Sequence, residues 1–106
     1  MSNPDLRKAG WQYETVAADR TTQALGVTGA AGDFLEGVLI IPATTSPGAV
    51  AIKDGANTAI TIFTGGAGSV LSLVPFFVPV CANSAAGAWQ VTTGANVSVI
   101  AVGMFT

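Results

Sequence analysis

The second half of this chain carries no charged side chain. Lys53 and Asp54 are the last charged residues, and no Asp, Glu, Lys, Arg or His occurs from Gly55 to Thr106. The most apolar run, Val70–Ala82 (VLSLVPFFVPVCA), is shorter than the roughly 20 residues that a membrane-spanning helix needs. Two prolines within it would also break a helix. The apolar residues must therefore be buried in short elements, within the domain or against another protein.

Length and composition narrow the class further. A chain of 106 residues is the size of one domain and can bury a core. Half of its residues are hydrophobic and only 9% are charged, which excludes a disordered chain. A net charge of −2 without a basic cluster argues against a nucleic-acid surface. The first residues, MSNPDLRK, lack the apolar stretch of a secretory signal, so we expect synthesis in the cytoplasm and no membrane partner.

Charge is concentrated at the beginning of the chain, where it predicts an N-terminal arm over residues 1–20 and a single body over residues 21–106. Trp11 and Tyr13 alternate with polar neighbours, which indicates a strand with one aromatic face. Aromatic residues dominate interface energetics, so we expect the arm to dock on another surface. The charged residues of the arm are Asp5, Arg7, Lys8, Glu14, Asp19 and Arg20.

The body is predicted to be all-β. Runs rich in Val, Ile, Thr and Phe alternate with Gly, Pro and Asn clusters, which favours a β-sandwich, most simply a jelly roll, or a small barrel of about eight strands. Asp54-Gly55 predicts a hairpin, and Ser46-Pro47-Gly48-Ala49 predicts a type II turn. The Gly-rich segment at 64–69 reads as a hairpin loop. Alternation predicts these inward side chains: Val50, Ile52, Ile60, Ile62, Trp89 and Val91.

Pro75 and Pro79 predict an edge strand. Their missing N–H groups fall on the same side of a strand, which prevents a full ladder on that side and leaves the other side free to pair.

Two segments are apolar on both faces, namely residues 38–41 and residues 97–105. A strand in a two-layer domain normally has one wet face, and charge is depleted in the core of protein interfaces. These segments therefore predict self-association, with a curled sheet that covers both faces within one chain as the alternative. The candidate interface residues are Trp11, Tyr13, Val38, Ile40, Phe76, Phe77, Ile100, Val102 and Met104.

No catalytic constellation is visible in the sequence. The chain has no His, which removes Ser-His and Cys-His nucleophiles. The single Cys81 is expected to be a buried small hydrophobe, and the acidic residues are expected to face solvent or form turns rather than hold calcium. The sequence TGGAGS at 64–69 lacks the Gly-Lys-Ser/Thr of a phosphate-binding loop. We therefore expect no enzyme, no cofactor and no metal, and we expect Trp89 in the core rather than against a sugar.

Two stretches resemble a known class of proteins. AIKDGANTAITIF (51–63) and GAWQVTTGANVSVIAVGMFT (87–106) are similar to small β-rich proteins encoded in the structural modules of tailed bacteriophages, above all head decoration (cement) proteins. The resemblance spans about residues 33–106 and does not include the charged arm. It implies a virion component on the capsid surface, made in the host bacterial cytoplasm, that binds the major capsid protein as a homo-oligomer, often a trimer.

Two other functions fit the same residues. One is a carbohydrate-binding module, such as part of a fibre that recognises host glycans, and the other is a structural domain of a tail or baseplate. If the arm docks on a neighbouring subunit or the capsid, deleting residues 2–14 is expected to leave the body folded and to weaken assembly.

Overall fold

A computed structural model describes residues 11–106, which form eight β-strands and no helix. The described part thus contains no helix that could cross a membrane. The strands are β1 (Gln12–Val16), β2 (Gln23–Ala24), β3 (Phe34–Pro42), β4 (Val50–Asp54), β5 (Ile60–Phe63), β6 (Phe76–Asn83), β7 (Trp89–Thr93) and β8 (Val97–Met104).

The strands form two antiparallel sheets of four. Sheet A has the order β1-β8-β3-β6, and sheet B has the order β2-β7-β4-β5. The first strand pairs with the last, the second with the seventh, the third with the sixth and the fourth with the fifth. This is the wound arrangement of a jelly roll. The predicted all-β sandwich is confirmed.

The core lies between the sheets and is built by alternation along each strand. In β8 every second residue is buried, beginning with Val97, and in β7 the same holds from Trp89. This confirms Trp89 and Val91 as core residues. The buried apolar side chains are Val16, Leu25, Leu35, Val38, Ile40, Val50, Ile52, Trp89, Val91, Val97, Val99, Ala101 and Phe105.

Of the three turn and loop predictions, one is confirmed and two are wrong. The hairpin at Asp54-Gly55 is confirmed, since it joins β4 to β5 and Gly55 has a φ of 55°. The type II turn is wrong, because Gly48 is not among the residues with positive φ. Gly48 is needed for close approach instead, since a Cβ there would lie 2.8 Å from the Ala95 nitrogen. The Gly-rich segment is not a hairpin loop, because it connects β5 of sheet B to β6 of sheet A.

The proline-containing strand lies at an edge, as predicted. Among the strands of residues 11–106, β6 pairs only with β3, with Phe76 opposite Ile40 and Val78 opposite Val38. Pro79 lies within the strand and Pro75 immediately before it. The free side of β6 therefore lacks donors where a further strand would need them.

Residues 11–20 of the predicted arm belong to the sandwich. β1 pairs with β8 along its whole length, from Gln12 opposite Gly103 to Val16 opposite Val99. Val16 is fully buried in the core. This strand thus finds its sheet edge within its own chain, whereas the sequence led us to expect a neighbour's edge. Residues 1–10 lie outside the described residues.

One inward assignment was wrong. Ile60 lies opposite the buried Ile52 but remains 54% exposed. Ile60 is the first residue of a short edge strand, so it lies at the margin of the core. Ile62, two residues further along, packs against the core as predicted.

Candidate interaction surface

The outer surface of sheet A is apolar across all four strands. Side chains that alternate with the buried ones point away from sheet B, and in this sheet most of them are hydrophobic. We call this set the outer apolar face; it consists of Trp11, Tyr13, Phe34, Leu39, Ile41, Phe77, Ile100, Val102 and Met104, all of them half-buried or exposed.

The register places one row of these residues across the full width of the sheet. Thr15 of β1 lies opposite Ile100 of β8, which lies opposite Leu39 of β3, which lies opposite Phe77 of β6. Directly opposed side chains on one sheet face are about 5 Å apart at Cβ and therefore touch. Ile100 and Leu39 thus occupy the middle of this row, which we call the central row and which is apolar except for Thr15 at its β1 end.

A glycine creates the place for the largest side chain of this row. β3 has a bulge between Leu35 and Gly37. A Cβ at Gly37 would overlap the ring of Phe77 and lie 2.6 Å from the carbonyl oxygen of Val78. The ring of Phe77 therefore lies over the bare backbone of Gly37, while 44% of this side chain remains exposed.

Tyr13 of β1 and Trp11, the residue before this strand, extend the face. The rings of Trp11 and Phe34 are 5.2 Å apart between centroids and tilted by 31°. Tyr13 lies opposite Val102 and is 73% exposed. The predicted aromatic side of this strand is thus present, and it joins the outer apolar face.

The structure divides the nine residues predicted to form an interface. Trp11, Tyr13, Phe77, Ile100, Val102 and Met104 lie on the outer apolar face. Val38 and Ile40 are fully buried between the sheets, and Phe76 packs partly against the same core. Val38 and Ile40 cannot meet a partner while the sandwich is closed, and Phe76 points to the core side of β6, so none of the three belongs to the outer apolar face.

Sequence reasoning missed the residues that replace them. Leu39 and Ile41 belong to the same apolar run as Val38 and Ile40, but they point outward. When the odd-numbered and the even-numbered residues of a strand are both apolar, alternation does not reveal which set faces the core. The aromatic neighbours Trp11 and Phe34, on separate strands, gave no sequence signal of their contact.

Charge is nearly absent from sheet A. In its four strands as described, the charged residues are Glu14 and Glu36. The carboxylate of Glu14 is directed to the β2 region, where Oε1 accepts from the Gly26 N–H at 2.8 Å and Oε2 accepts from Gln23 Nε2 at 3.0 Å. Glu36 is half-buried in the bulge of β3. The central row contains neither of them.

A second exposed apolar segment precedes β6. Leu71 is 98% exposed, and Leu73 and Val74 are also largely exposed. The segment is anchored beside the end of β3, because the Val70 N–H donates to the Thr45 carbonyl at 3.3 Å and the Gly68 N–H donates to Ser46 Oγ at 3.0 Å. The chain then passes into β6, so this exposed apolar segment lies next to the edge strand of sheet A.

A shallow cleft of about 350 Å³ lies at one end of the sandwich, lined by Gln12, Tyr13, Glu14, Gly26, Val27, Phe105 and Thr106. Two of its polar side chains already have partners within the protein. Glu14 accepts from Gly26, and Gln12 Oε1 accepts from the Phe105 N–H at 2.6 Å. The cleft is therefore a junction between the ends of the described chain.

The buried carboxylate of Asp33 is also satisfied internally. It accepts from the N–H groups of Ala30 and Thr106, each at 3.1 Å, and from the Thr106 hydroxyl. The carbonyl of Asp33 accepts from Trp89 Nε1 at 3.0 Å. This residue ties the last residue of the chain and the core tryptophan to the loop before β3.

Asp54 performs a similar task at the β4–β5 hairpin. Its carboxylate accepts from the N–H groups of Ala85 and Ala86 at distances of 2.9–3.1 Å. Hydrogen bonds from Ala86 and then Ala85 lower the pKa of Asp54 below its ordinary value of 3.8. The hairpin is thereby fastened to the loop between β6 and β7.

Cys81 is exposed, so the expectation of a buried thiol was wrong. It lies on the edge strand β6 with a φ of 55°, and its Sγ lies 3.7 Å from the carbonyl oxygen of Glu36. The irregular backbone beside the β3 bulge turns this side chain away from the core.

Neither a metal site nor a known family is indicated. Among residues 11–106 no group of three His, Cys, Asp or Glu side chains is placed to hold a metal ion. Comparisons with protein-family models, with curated proteins and with solved structures gave no match. The function of this chain is therefore inferred from its own residues and surfaces.

Proposed function

We propose that this chain is a non-enzymatic structural protein of a tailed-bacteriophage particle, a capsid decoration protein. In this role it assembles into a homo-oligomer, with a trimer favoured by the resemblance, and binds the major capsid protein on the outside of the head. The observation that carries the proposal is the outer apolar face of sheet A, which a free monomer would leave in contact with water.

The energetic argument begins with that exposure. Removing apolar surface from water is favourable by about 25 cal/mol per Å². Monomeric proteins rarely expose contiguous apolar patches above a few hundred Å², and larger patches mark binding surfaces. An apolar face that crosses four strands, with exposed leucines at Leu71 and Leu73 beyond it, therefore calls for a protein partner.

The resemblance to decoration proteins is compatible with where its residues lie. The first stretch (51–63) contains most of β4 and all of β5, joined by the Asp54-Gly55 hairpin, and the second (87–106) contains β7 and β8. β8 is a central strand of sheet A and supplies Ile100, Val102 and Met104 to the outer apolar face. The second stretch thus supplies three of the nine residues of the outer apolar face, and the other six lie outside both stretches.

A decoration protein needs no reaction chemistry. It gains strength from many modest contacts that symmetry repeats over a particle, because linked binding events raise the effective concentration of each contact. The carboxylates Glu14, Asp33 and Asp54 serve internal hydrogen bonds in this fold, which suits a structural role.

Carbohydrate recognition by a fibre or tail domain is the second candidate. The observation that favours it is the exposed aromatic pair Trp11 and Tyr13, since sugars stack on such rings. Trp89 is buried and takes no part. The neighbours of Trp11 and Tyr13 in sheet A, Phe34 and Val102, are apolar, whereas a sugar site also needs polar groups that fix hydroxyls.

The test is to locate the polypeptide on particles. Mass spectrometry of purified virions from the phage that encodes the chain, followed by electron microscopy, is expected to find it in many copies on the outer capsid surface. Absence from purified particles would overturn the proposal. Density confined to a tail or fibre, together with binding on a glycan array, would favour the second candidate.

A further inference from the structure

We propose that the outer apolar face of sheet A is covered by a second copy of this chain. The inference deepens the self-association within the proposed function by naming the surface and its occupant. It is tested on purified protein, without particles, so its failure is distinguishable from failure of the capsid role.

The size of the face suits an interface between copies. Strands lie about 4.8 Å apart and rise about 3.3 Å per residue, so four strands and the eight residues of β8 outline about 19 by 26 Å. That is roughly 500 Å² as a flat projection, which does not include the additional area of the uneven side-chain surface. A stable interface buries about 800 Å² per partner, so the contact must also use the side-chain relief of the face and nearby exposed residues such as Leu71 and Leu73.

The chemistry of the face identifies the occupant. The described strands place Thr15 and Ser98 as its hydroxyl side chains, and the central row holds no charge. Such a surface offers no charge pattern to attract a particular foreign partner, whereas two identical copies can meet on it without like-charge repulsion. Interfaces between identical subunits are also the most apolar class, and sheets readily stack face to face about 10 Å apart.

Both edge strands of sheet A hinder the addition of a further strand, which favours association through the outer apolar face. On β6, Pro79 removes a donor from the free side. On β1, the Thr15 carbonyl accepts from Gln23 Nε2 at 3.2 Å, which occupies a group that an added strand would use. Lateral growth of the sheet is thus hindered on both sides. Two copies that meet through the same face form an isologous contact, which closes at two copies; the trimer favoured by the resemblance would need a further contact.

Ile100 is the most informative position at which to test the contact by mutation. It lies in the middle of the central row, between Thr15 and Leu39. In the Ile100→Lys variant a charge would enter a dry interface. We expect its self-association, measured by sedimentation velocity, to weaken by about 100-fold or more, because an unpaired buried charge is costly. The matched control is Thr61→Lys on the exposed strand β5 of sheet B, which is expected to keep the mass of the unmodified protein.

A second measurement uses the unmodified protein, so it does not depend on whether the Ile100→Lys variant folds. Trp11 is 55% exposed on the face, whereas Trp89 is buried. Dilution below the association range is expected to shift tryptophan emission to longer wavelength, and Trp11→Phe is expected to remove that shift. A monomer at micromolar concentrations would overturn the proposal, as would Thr61→Lys dissociating the oligomer while Ile100→Lys leaves it intact.

Discussion

At the scale of single residues, backbone N–H groups engage three carboxylates in the described part of the chain. Glu14 accepts from Gly26, Asp33 from Ala30 and Thr106, and Asp54 from Ala85 and Ala86. All of these bonds except the local one from Ala30 to Asp33 join segments that are distant along the chain. These three carboxylates thus help to fix loops, as the hydroxyls of Ser46, Ser84 and Thr93 also do.

Asp54 gives a prediction about pH. Its folded-state pKa lies below the ordinary value of 3.8, so the carboxylate stabilises the fold above that value, and the contribution is lost as the pH falls through the folded-state pKa. Asp54→Asn is expected to melt at a lower temperature than the unmodified protein at neutral pH. The difference should shrink on acidification below pH 3.8. Melting curves followed by circular dichroism measure this, and a difference independent of pH would contradict it.

At the scale of elements, the four sheet edges differ in how they are protected. β6 carries Pro79, β2 has only two residues, and β1 has Gln23 on one carbonyl. β5 has neither a proline nor a charge, but it is only four residues long. Short strands, prolines and capped carbonyls are recognised ways to limit pairing between chains.

The proline of β6 can be tested directly. Pro79→Thr restores an N–H and introduces a good strand former, so the free edge of sheet A becomes able to accept another strand. We expect faster aggregation at equal concentration, measured by light scattering on warming. Phe77→Thr removes apolar surface from the same strand without adding a donor, and it is expected to aggregate no faster than the unmodified protein. Equal rates for Pro79→Thr and the unmodified chain would count against this edge mechanism.

The structure also changes what removal of the N-terminal residues should do. Deleting residues 2–14 takes away most of β1 and the two hydrogen bonds of Glu14. Hydrogen bonds to charged groups contribute about 1.5–3 kcal/mol each, so we now expect a lower unfolding free energy by at least a few kcal/mol. Deleting residues 2–10 leaves every described contact in place and is the control. Denaturant titration of both variants measures the difference, and equal stability would support the original expectation of a separable arm.

Sequence patterns predicted the elements better than their exposed faces. Alternation identified Trp89, Val91, Val50 and Ile52 because polar or small neighbours marked the opposite side. It failed at residues 38–41, where both parities are apolar and only packing against sheet B decides between them. The positive φ of Cys81 and the bulge at Glu36 arise from pairing between distant strands, which no local pattern reveals.

At the scale of the whole molecule, every strand pair except β4–β5 joins distant parts of the chain. β1 pairs with β8, so the first described strand finds its partner only at the end of the sequence. Few native contacts can form until the chain has closed long loops. Closing these loops costs conformational entropy before the stabilising contacts are made.

This topology predicts slow folding. We expect refolding on the scale of milliseconds to seconds, as in other all-β domains with distant pairing, rather than microseconds. Stopped-flow fluorescence can follow Trp89 as it enters the core, in a Trp11→Phe background that removes the exposed indole. Complete recovery of the Trp89 signal within microseconds would show that distant pairing is not limiting.

Because β1 pairs with β8, the fold is also suited to circular permutation. Gln12 lies opposite Gly103 and accepts from the Phe105 N–H, so the two ends of the described chain lie side by side. A linker of a few residues from Thr106 to Trp11, with new termini opened in the exposed 64–75 segment, would preserve every strand pair. Such a circular permutant would place both termini beside Leu71, where a fused peptide would project from the molecule.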